Sequence, residues 1–223
     1  MKTIHIRMYF FEEVLGSASF NKELHDEFIA SKAPDAMSRE EEVEALGVGE
    51  VVEKGMTGFA RDEHGRPIVW DYQFKGMLKD SVGALRKVPG TVSSKLTAYK
   101  KVIDGLIFPQ PRKVVLKMPP KAVVGDCQRP LRAQTAQGER IALAHSETVP
   151  AGTTCDVNFF LYLDEHEKLI YEVLDYGMLR GFGQWRNSGK GRFMYQILDD
   201  DGKVIGGNFD ASLLVACSAA AEK

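Results

Sequence analysis

From Arg180 to Arg192 the chain sets Gly181, Gly183, Gly189 and Gly191 among Arg180, Arg186, Lys190, Arg192 and Trp185, with no acid in the stretch. Closely spaced glycines let backbone amides approach a phosphate, the cations supply charge, and the indole offers a plane for a base to stack on. The chemistry such a set serves is non-covalent recognition of a polyanion. The same spacing also suits a long turn that closes a sheet edge. It does not make a Walker loop: Gly183 to Gly189-Lys190 is one residue too long, Gly191 stands where Ser or Thr is needed, and a strand pattern follows.

Two further basic groups stand out. Lys75, Gly76 and Lys79 lie near the start of a helical pattern, and Arg129, Arg132, Gln134 and Arg140 lie in a polar stretch rich in turn formers. From Arg86 to Arg140 bases exceed acids about four to one; before residue 55 acids exceed bases about two to one, centred on Glu40, Glu41, Glu42 and Glu44. The formal net charge of -2 therefore hides a split that a binding groove can use. Bond-breaking chemistry has few candidates. His25, Asp26 and Asp35 could form a cleavage site or be surface polars. His145 reads as a structural histidine, Glu165-His166-Glu167 as a helix-start charge cluster, and Asp199 to Gly202 as a hairpin turn that lacks the ligand series of a calcium loop. Cys127, Cys155 and Cys217 form no C-x-x-C pair and read as buried thiols. No metal and no cofactor is expected.

The elements that must position these residues follow from periodicity. Ile4, Ile6, Met8 and Phe10 alternate with polar residues as a first strand. Residues 21–30 read as a short helix, and Ser38 with Glu41 as a capping box. After the apolar run Pro67 to Trp70, a helix carries Phe74, Leu78, Val82 and Leu85 on one stripe. A second helix is expected from a cap at Ser93 or Ser94 through Leu106, closed by Pro109 and Pro111. Val114 to Met118 and Thr153 to Leu163 read as strands on either side of a polar excursion, residues 119–152. A last helix runs from about Glu165 to Leu179, and Phe193 to Leu198 turns back at Asp199 to Gly202. The fold expected is α+β, a ferredoxin-like (RRM-like) core with long insertions after the first strand and between the middle strands. One domain over residues 1–223 is expected, with an acidic insertion at about 12–57 and a basic, thumb-like excursion at about 119–152. A hydrophobic fraction of 44% suits a globular chain. No apolar run approaches the roughly 20 residues of a membrane span, so a cytoplasmic location and no membrane partner are expected.

Three segments, in order, resemble a known family. The run from Gly58 through Arg61-Asp62, Gly65, Pro67 and Trp70 to Lys75-Gly76 and Lys79 is similar to the pattern R-D-x-x-G-x-P-Y-I-P-G-S-S-L-K-G-x-L-R, with Trp70-Asp71-Tyr72-Gln73 in place of Pro-Gly-Ser-Ser. Gln128 to Arg140, leading to Glu147-Thr-Val-Pro-Ala-Gly-Thr153, resembles the stretch before E-R-V-P-A-G-T-x-F. Leu179 to Phe193 resembles a C-terminal glycine-rich loop. These are features of the RAMP superfamily, the ferredoxin-like backbone proteins of CRISPR effector complexes, and the resemblance is nearest to the type III backbone subunit.

The resemblance implies a backbone subunit of a CRISPR-like ribonucleoprotein in antiviral defense. It would bind single-stranded crRNA-type RNA without reading sequence and contact copies of itself head to tail or other effector subunits. Lys75 and Gly76 would cradle phosphate at a helix N-terminus, and Trp70, Tyr72 and Trp185 would stack bases. Three alternatives stand beside it. One is an orphan member from a phage or other mobile element that coats or anneals single-stranded DNA. Another is an interaction protein whose acidic insertion mimics nucleic acid. The third is an endoribonuclease, metal-dependent if an enzyme at all, for which Asp26 and Asp35 are the candidates.

Overall fold

The computed structural model describes residues 1–19, 56–135 and 138–212, with residue 19 and residues 130–143 described by backbone alone. The helix expected at 21–30, the capping box at Ser38 and Glu41, the acidic run, Asp26 and Asp35 lie outside the described residues. The chain divides into two compact units. One comprises Met1–Val14, Ala60–Val123 and Val149–Lys223, the other Leu15–Phe59 and Val124–Thr148.

In chain order the first strands are β1 (Lys2–Phe10), β2 (Val14–Leu15), β3 (Ala18–Ser19), β4 (Thr57–Gly58), β5 (Ala60–Arg61) and β6 (Pro67–Trp70). Helices α1 (Asp71–Leu85) and α2 (Tyr99–Leu106) follow, then β7 (Ile107–Gln110), β8 (Lys113–Val115), β9 (Gly125–Thr135), β10 (Gly138–Val149) and β11 (Thr154–Leu161). Helix α3 (Glu167–Arg180) and strands β12 (Phe193–Leu198) and β13 (Val204–Gly207) complete the described chain.

The first unit is built on a five-stranded sheet in the order β13-β12-β1-β11-β7, with every neighbour antiparallel. Strand β1 lies at its centre because its alternation puts Ile4, Ile6, Met8 and Phe10 on one buried face. Helix α1 lays Phe74, Met77, Leu78 and Val82 on that side, with Phe74 edge-on to Phe159 at 6.3 Å, and α3 adds Leu169, Ile170, Val173 and Leu174. The opposite face carries a polar ladder: Arg7 Nε donates to Asp156 Oδ1 at 2.7 Å, the Tyr9 hydroxyl to Gln196 Oε1 at 2.7 Å, and His5 Nδ1 meets Asn158 Oδ1 at 2.9 Å. A smaller sheet, β5-β6-β8, leads into α1. Its first turn is closed by Asp62, whose Oδ1 accepts the amides of His64 and Arg66, so the Arg61-Asp62 to Gly65 motif serves a hairpin.

Two expectations are corrected. Pro109 does not end a helix; it sits in β7, opposite Phe159. A residue without an amide is tolerated there because β7 is the edge of the sheet. The helix expected from Ser93 begins only at Tyr99, and Ser93–Lys95 is a single 3-10 turn. Ser93 caps nothing: its hydroxyl and its amide (2.9 Å), with the Val92 amide (2.6 Å), donate to the Glu172 carboxylate on α3. Most of the excursion is the β9/β10 hairpin, in unbroken register from Gly138 opposite Thr135 to Thr148 opposite Gly125.

In the second unit β10 is the axis of a sheet ordered β2-β10-β4-β3, with β9 also paired to β10. Ser146 lies opposite Thr57 and their hydroxyls meet at 2.8 Å, while Glu147 Oε2 accepts the Phe59 amide at 3.0 Å.

Candidate nucleic-acid interface

The glycine-rich segment is a preordered loop rooted in the core. Phe182 is buried against Phe74 (4.9 Å) and Phe10 (6.1 Å). The two ends of the loop are strapped backbone to backbone, with the Phe182 amide on the Gly191 carbonyl at 2.8 Å and the Gly191 amide on the Glu13 carbonyl at 2.8 Å. Gly181 and Gly191 have φ of +78° and +69°, and a Cβ on either would lie 2.3 Å from the Lys190 carbonyl oxygen or 1.9 Å from that of Phe182. These two glycines are required by the loop's own stem. Trp185 opens the turn Arg186–Ser188 in the left-handed region (φ 53°, ψ 32°) and is 37% exposed.

The loop's cations are engaged within the protein. Arg180 and Arg186 both bind the carboxylate of Asp80 on α1, and Arg180 also donates to Asn187 Oδ1. Burial works to raise the Asp80 pKa, but the two guanidinium groups outweigh it and hold the carboxyl below its ordinary range. Lys190 pairs with Glu13. The Arg192 Nε is buried and has no hydrogen-bond partner among the described residues. Asp80, Phe182, Asn187 and Glu13 were not singled out in the sequence. Nothing in the spacing marks Asp80, which is 100 residues from Arg180.

Lys75 and Gly76 do not stand at a helix N-terminus as expected. Helix α1 begins at Asp71, so both lie beyond its first turn. The donors at that end are already satisfied: the Trp70 amide by Gln73 Oε1, the Asp71 amide by the Arg112 carbonyl and the Tyr72 amide by the Asp71 carboxylate. Lys75 donates to the Asp104 carbonyl at 2.8 Å and lies over the Phe108 ring, and Lys79 pairs with the Asp104 carboxylate at 2.6 Å. Gly76 is exposed with nothing within 4 Å of a Cβ. Trp70 is approached by Arg112 (6.0 Å) and Lys113 (5.8 Å), and Tyr72 is 59% exposed.

On the hairpin, Arg129 is 6% exposed with Nη1 3.4 Å from the Ser146 hydroxyl. Arg132, Gln134 and Arg140 stand opposite Ile141, Glu139 and Ala133, and their side chains are outside the described set. His145 pairs with Asp126. Among the described residues no group of three or more His, Cys, Asp or Glu is placed to hold a metal ion, and no helix is long and apolar enough to cross a membrane.

No family model matches the sequence and no curated protein does. Solved structures do match the fold. The Type III-B Cmr-beta bound to cognate target RNA aligns with a TM-score of 0.50 at 10% identity, over 89% of this chain and 60% of that one. The chain thus spans less than two thirds of that neighbour's length. A Type IV-B CRISPR complex (TM-score 0.42, 11% identity, 96% of each chain) and Cmr6 from Pyrococcus furiosus (0.45, 11%, 86% of this chain and 96% of that one) also align. At 10% identity the likeness to the first is one of fold, and the two lower scores carry no weight beyond it. The chain is therefore similar in fold to the Type III-B Cmr-beta chain, in line with the resemblance that its three segments carry.

Proposed function

We propose that this protein is a RAMP-like subunit of a CRISPR-type ribonucleoprotein that holds single-stranded, crRNA-type RNA without reading its sequence. We read β1, α1, β7, β11, α3 and β12 as a ferredoxin-like (RRM-like) core. Their sheet order of fourth, first, third, second and their antiparallel pairing support this. The two insertions are then parts of one RAMP-like domain. The observation that carries the functional reading is the 181–192 loop, closed by backbone hydrogen bonds between the last helix and the last core strand and holding the partly exposed Trp185.

In this reading Arg192 is the loop's phosphate contact, since Arg180, Arg186 and Lys190 are held by carboxylates; on the hairpin, Arg132, Gln134 and Arg140 are separate candidates for such contacts. Partners are single-stranded nucleic acid and other effector subunits, or further copies stacked head to tail. The test is fluorescence anisotropy of labelled single-stranded RNA and DNA of equal sequence, with wild type and R132A/R140A, across a salt series. Two lost contacts make the slope of log affinity on log salt shallower by about 1.4, at about 0.7 per phosphate. RNA bound more tightly than DNA supports the crRNA reading, and the reverse supports single-stranded DNA coating. Binding to neither at low salt overturns the proposal.

A further inference from the structure

Arg180 stands at the root of the glycine-rich loop and Arg186 near its tip, yet both reach one carboxylate. Arg180 donates through Nε to Asp80 Oδ2 at 2.9 Å and through Nη2 to Oδ1 at 3.4 Å, and Arg186 Nη1 donates to Oδ2 at 2.8 Å. All three side chains are largely covered, at 27%, 25% and 31% exposure for Arg180, Arg186 and Asp80. Between the two arginines in sequence lies Trp185 in the left-handed region. Residues with bulky side chains avoid that conformation, and it persists only where the surroundings fix it from both sides. Here the following turn is closed by the Ser188 amide on the Trp185 carbonyl (3.0 Å) and the Gly189 amide on the Arg186 carbonyl (2.9 Å), while Arg180 holds Asn187. Asp80 therefore ties root to tip, on either side of Trp185, which is 37% exposed.

We infer that Asp80 is a positioning residue that fixes Trp185 as a preformed platform for a nucleobase, Arg180 and Arg186 acting through Asp80 rather than on phosphate. This rests on the nucleic-acid reading above and deepens it. The sign of one substitution decides the matter. By charge alone, removing a carboxylate from a polyanion site tightens binding, and freeing two arginines steepens the salt slope by up to about 1.4. A positioning role gives weaker binding at an unchanged slope.

The experiment reads RNA binding in the full chain and indole quenching in the same chain carrying W70F, which leaves Trp185 as the sole indole of the sequence's two. Single-stranded RNA binding and acrylamide quenching are then measured for Asp80→Asn, Asp80→Glu, W185A and the D80N/W185A double. Asp80→Asn is expected to weaken binding about tenfold, inside the roughly 5- to 150-fold range for one lost base stack. W185A loses a similar factor, the double loses no more than either single, and Asp80→Glu recovers part of the affinity. Tighter binding with a steeper slope, or additive losses in the double, overturns the inference. In the free protein, Trp185 quenching rises in Asp80→Asn if the clamp positions the indole, and unchanged quenching overturns it. Should the wild type bind no oligonucleotide, the nucleic-acid reading fails, and the quenching result alone decides whether Asp80 fixes the loop.

Discussion

Two glycine-to-alanine substitutions should act in opposite directions, and their difference tests why this chain is rich in glycine. At Gly191 a Cβ would sit 1.9 Å from the Phe182 carbonyl oxygen, where real contacts stay beyond 3.0 Å, so the two strands of the loop stem must part by about 1.1 Å. Parting them breaks the 2.8 Å bond from Phe182 to Gly191, worth about 1 kcal/mol. It also forces an L-residue into φ near +69°, at roughly 1–2 kcal/mol, and loosens Phe182 between Phe10 and Phe74. The total is roughly 3–5 kcal/mol, or a fall in Tm of roughly 6–20 °C for a chain of this size. Gly76 is an exposed helical position with nothing within 4 Å of a Cβ, so G76A should gain up to about 1 kcal/mol and raise Tm by about 2–4 °C. Thermal unfolding followed by circular dichroism reads both. A G191A protein that melts with the wild type refutes the close-packed stem. G76A should bind oligonucleotides as the wild type does; a tenfold loss would restore a phosphate cradle at that helical turn.

Burial raises the Asp156 pKa, but hydrogen bonds from Arg7 and Lys117 outweigh it and hold the carboxyl below its ordinary range. Its folded-state pKa is thus depressed, so its contribution is fully present above the unfolded carboxylate value near 4 and is lost as pH falls through the folded value. The Tm difference between wild type and D156N should therefore be positive at pH 6 and shrink as pH falls below the unfolded carboxylate value near 4 and through the lower folded-state value. Tyr195 donates to Asp175 at 2.9 Å, and burial together with that bond pushes its phenol upward, so the stability it lends is lost as pH rises beyond 10 and Y195F should flatten alkaline unfolding. Cys155 is fully buried, and that burial drives its thiol pKa up, whereas Cys127 is partly exposed. In a C217S background, a thiol reagent at pH 8 should label Cys127 in the native protein and Cys155 only after unfolding. Glu172 accepts two amides and a hydroxyl from Val92 and Ser93; E172A should cost about 1–3 kcal/mol in denaturant melts, with E172Q between it and the wild type.

Short-range periodicity made β1, α1, α3 and the β12/β13 turn legible, because each buries one face and its residues repeat with the geometry of that face. The three family-like segments pointed to a likeness with CRISPR effector proteins, and a Type III-B Cmr-beta chain is similar in fold. What stayed hidden depends on partners far away in the chain. Pro109 reads as a helix stop until its place at a sheet edge is known. Ser93 reads as a cap until Glu172 is seen to take its hydroxyl and amide, 79 positions on. The β9/β10 hairpin was masked because its polar residues carry no clean alternation, and its register is set by backbone pairing along its whole length.

The same distance effect decides how much of the candidate site could be read. A window of thirteen residues from Arg180 to Arg192 holds four cations and no acid, and on composition alone it is a phosphate trap. Asp80 and Glu13 enter that window only through folding, and they engage three of the four cations. Two of the glycines in the window are likewise answered by the protein's own backbone. Charge density in a loop therefore measures what must be neutralised, not what neutralises it, and only the position of remote carboxylates separates a ligand contact from an internal clamp. In this loop Trp185 is 37% exposed among cations that are paired within the protein, which shifts the expected recognition from phosphate charge toward base stacking. Weak salt dependence with strong loss on W185A is the signature that follows, and a charge-led loop would give the opposite pair.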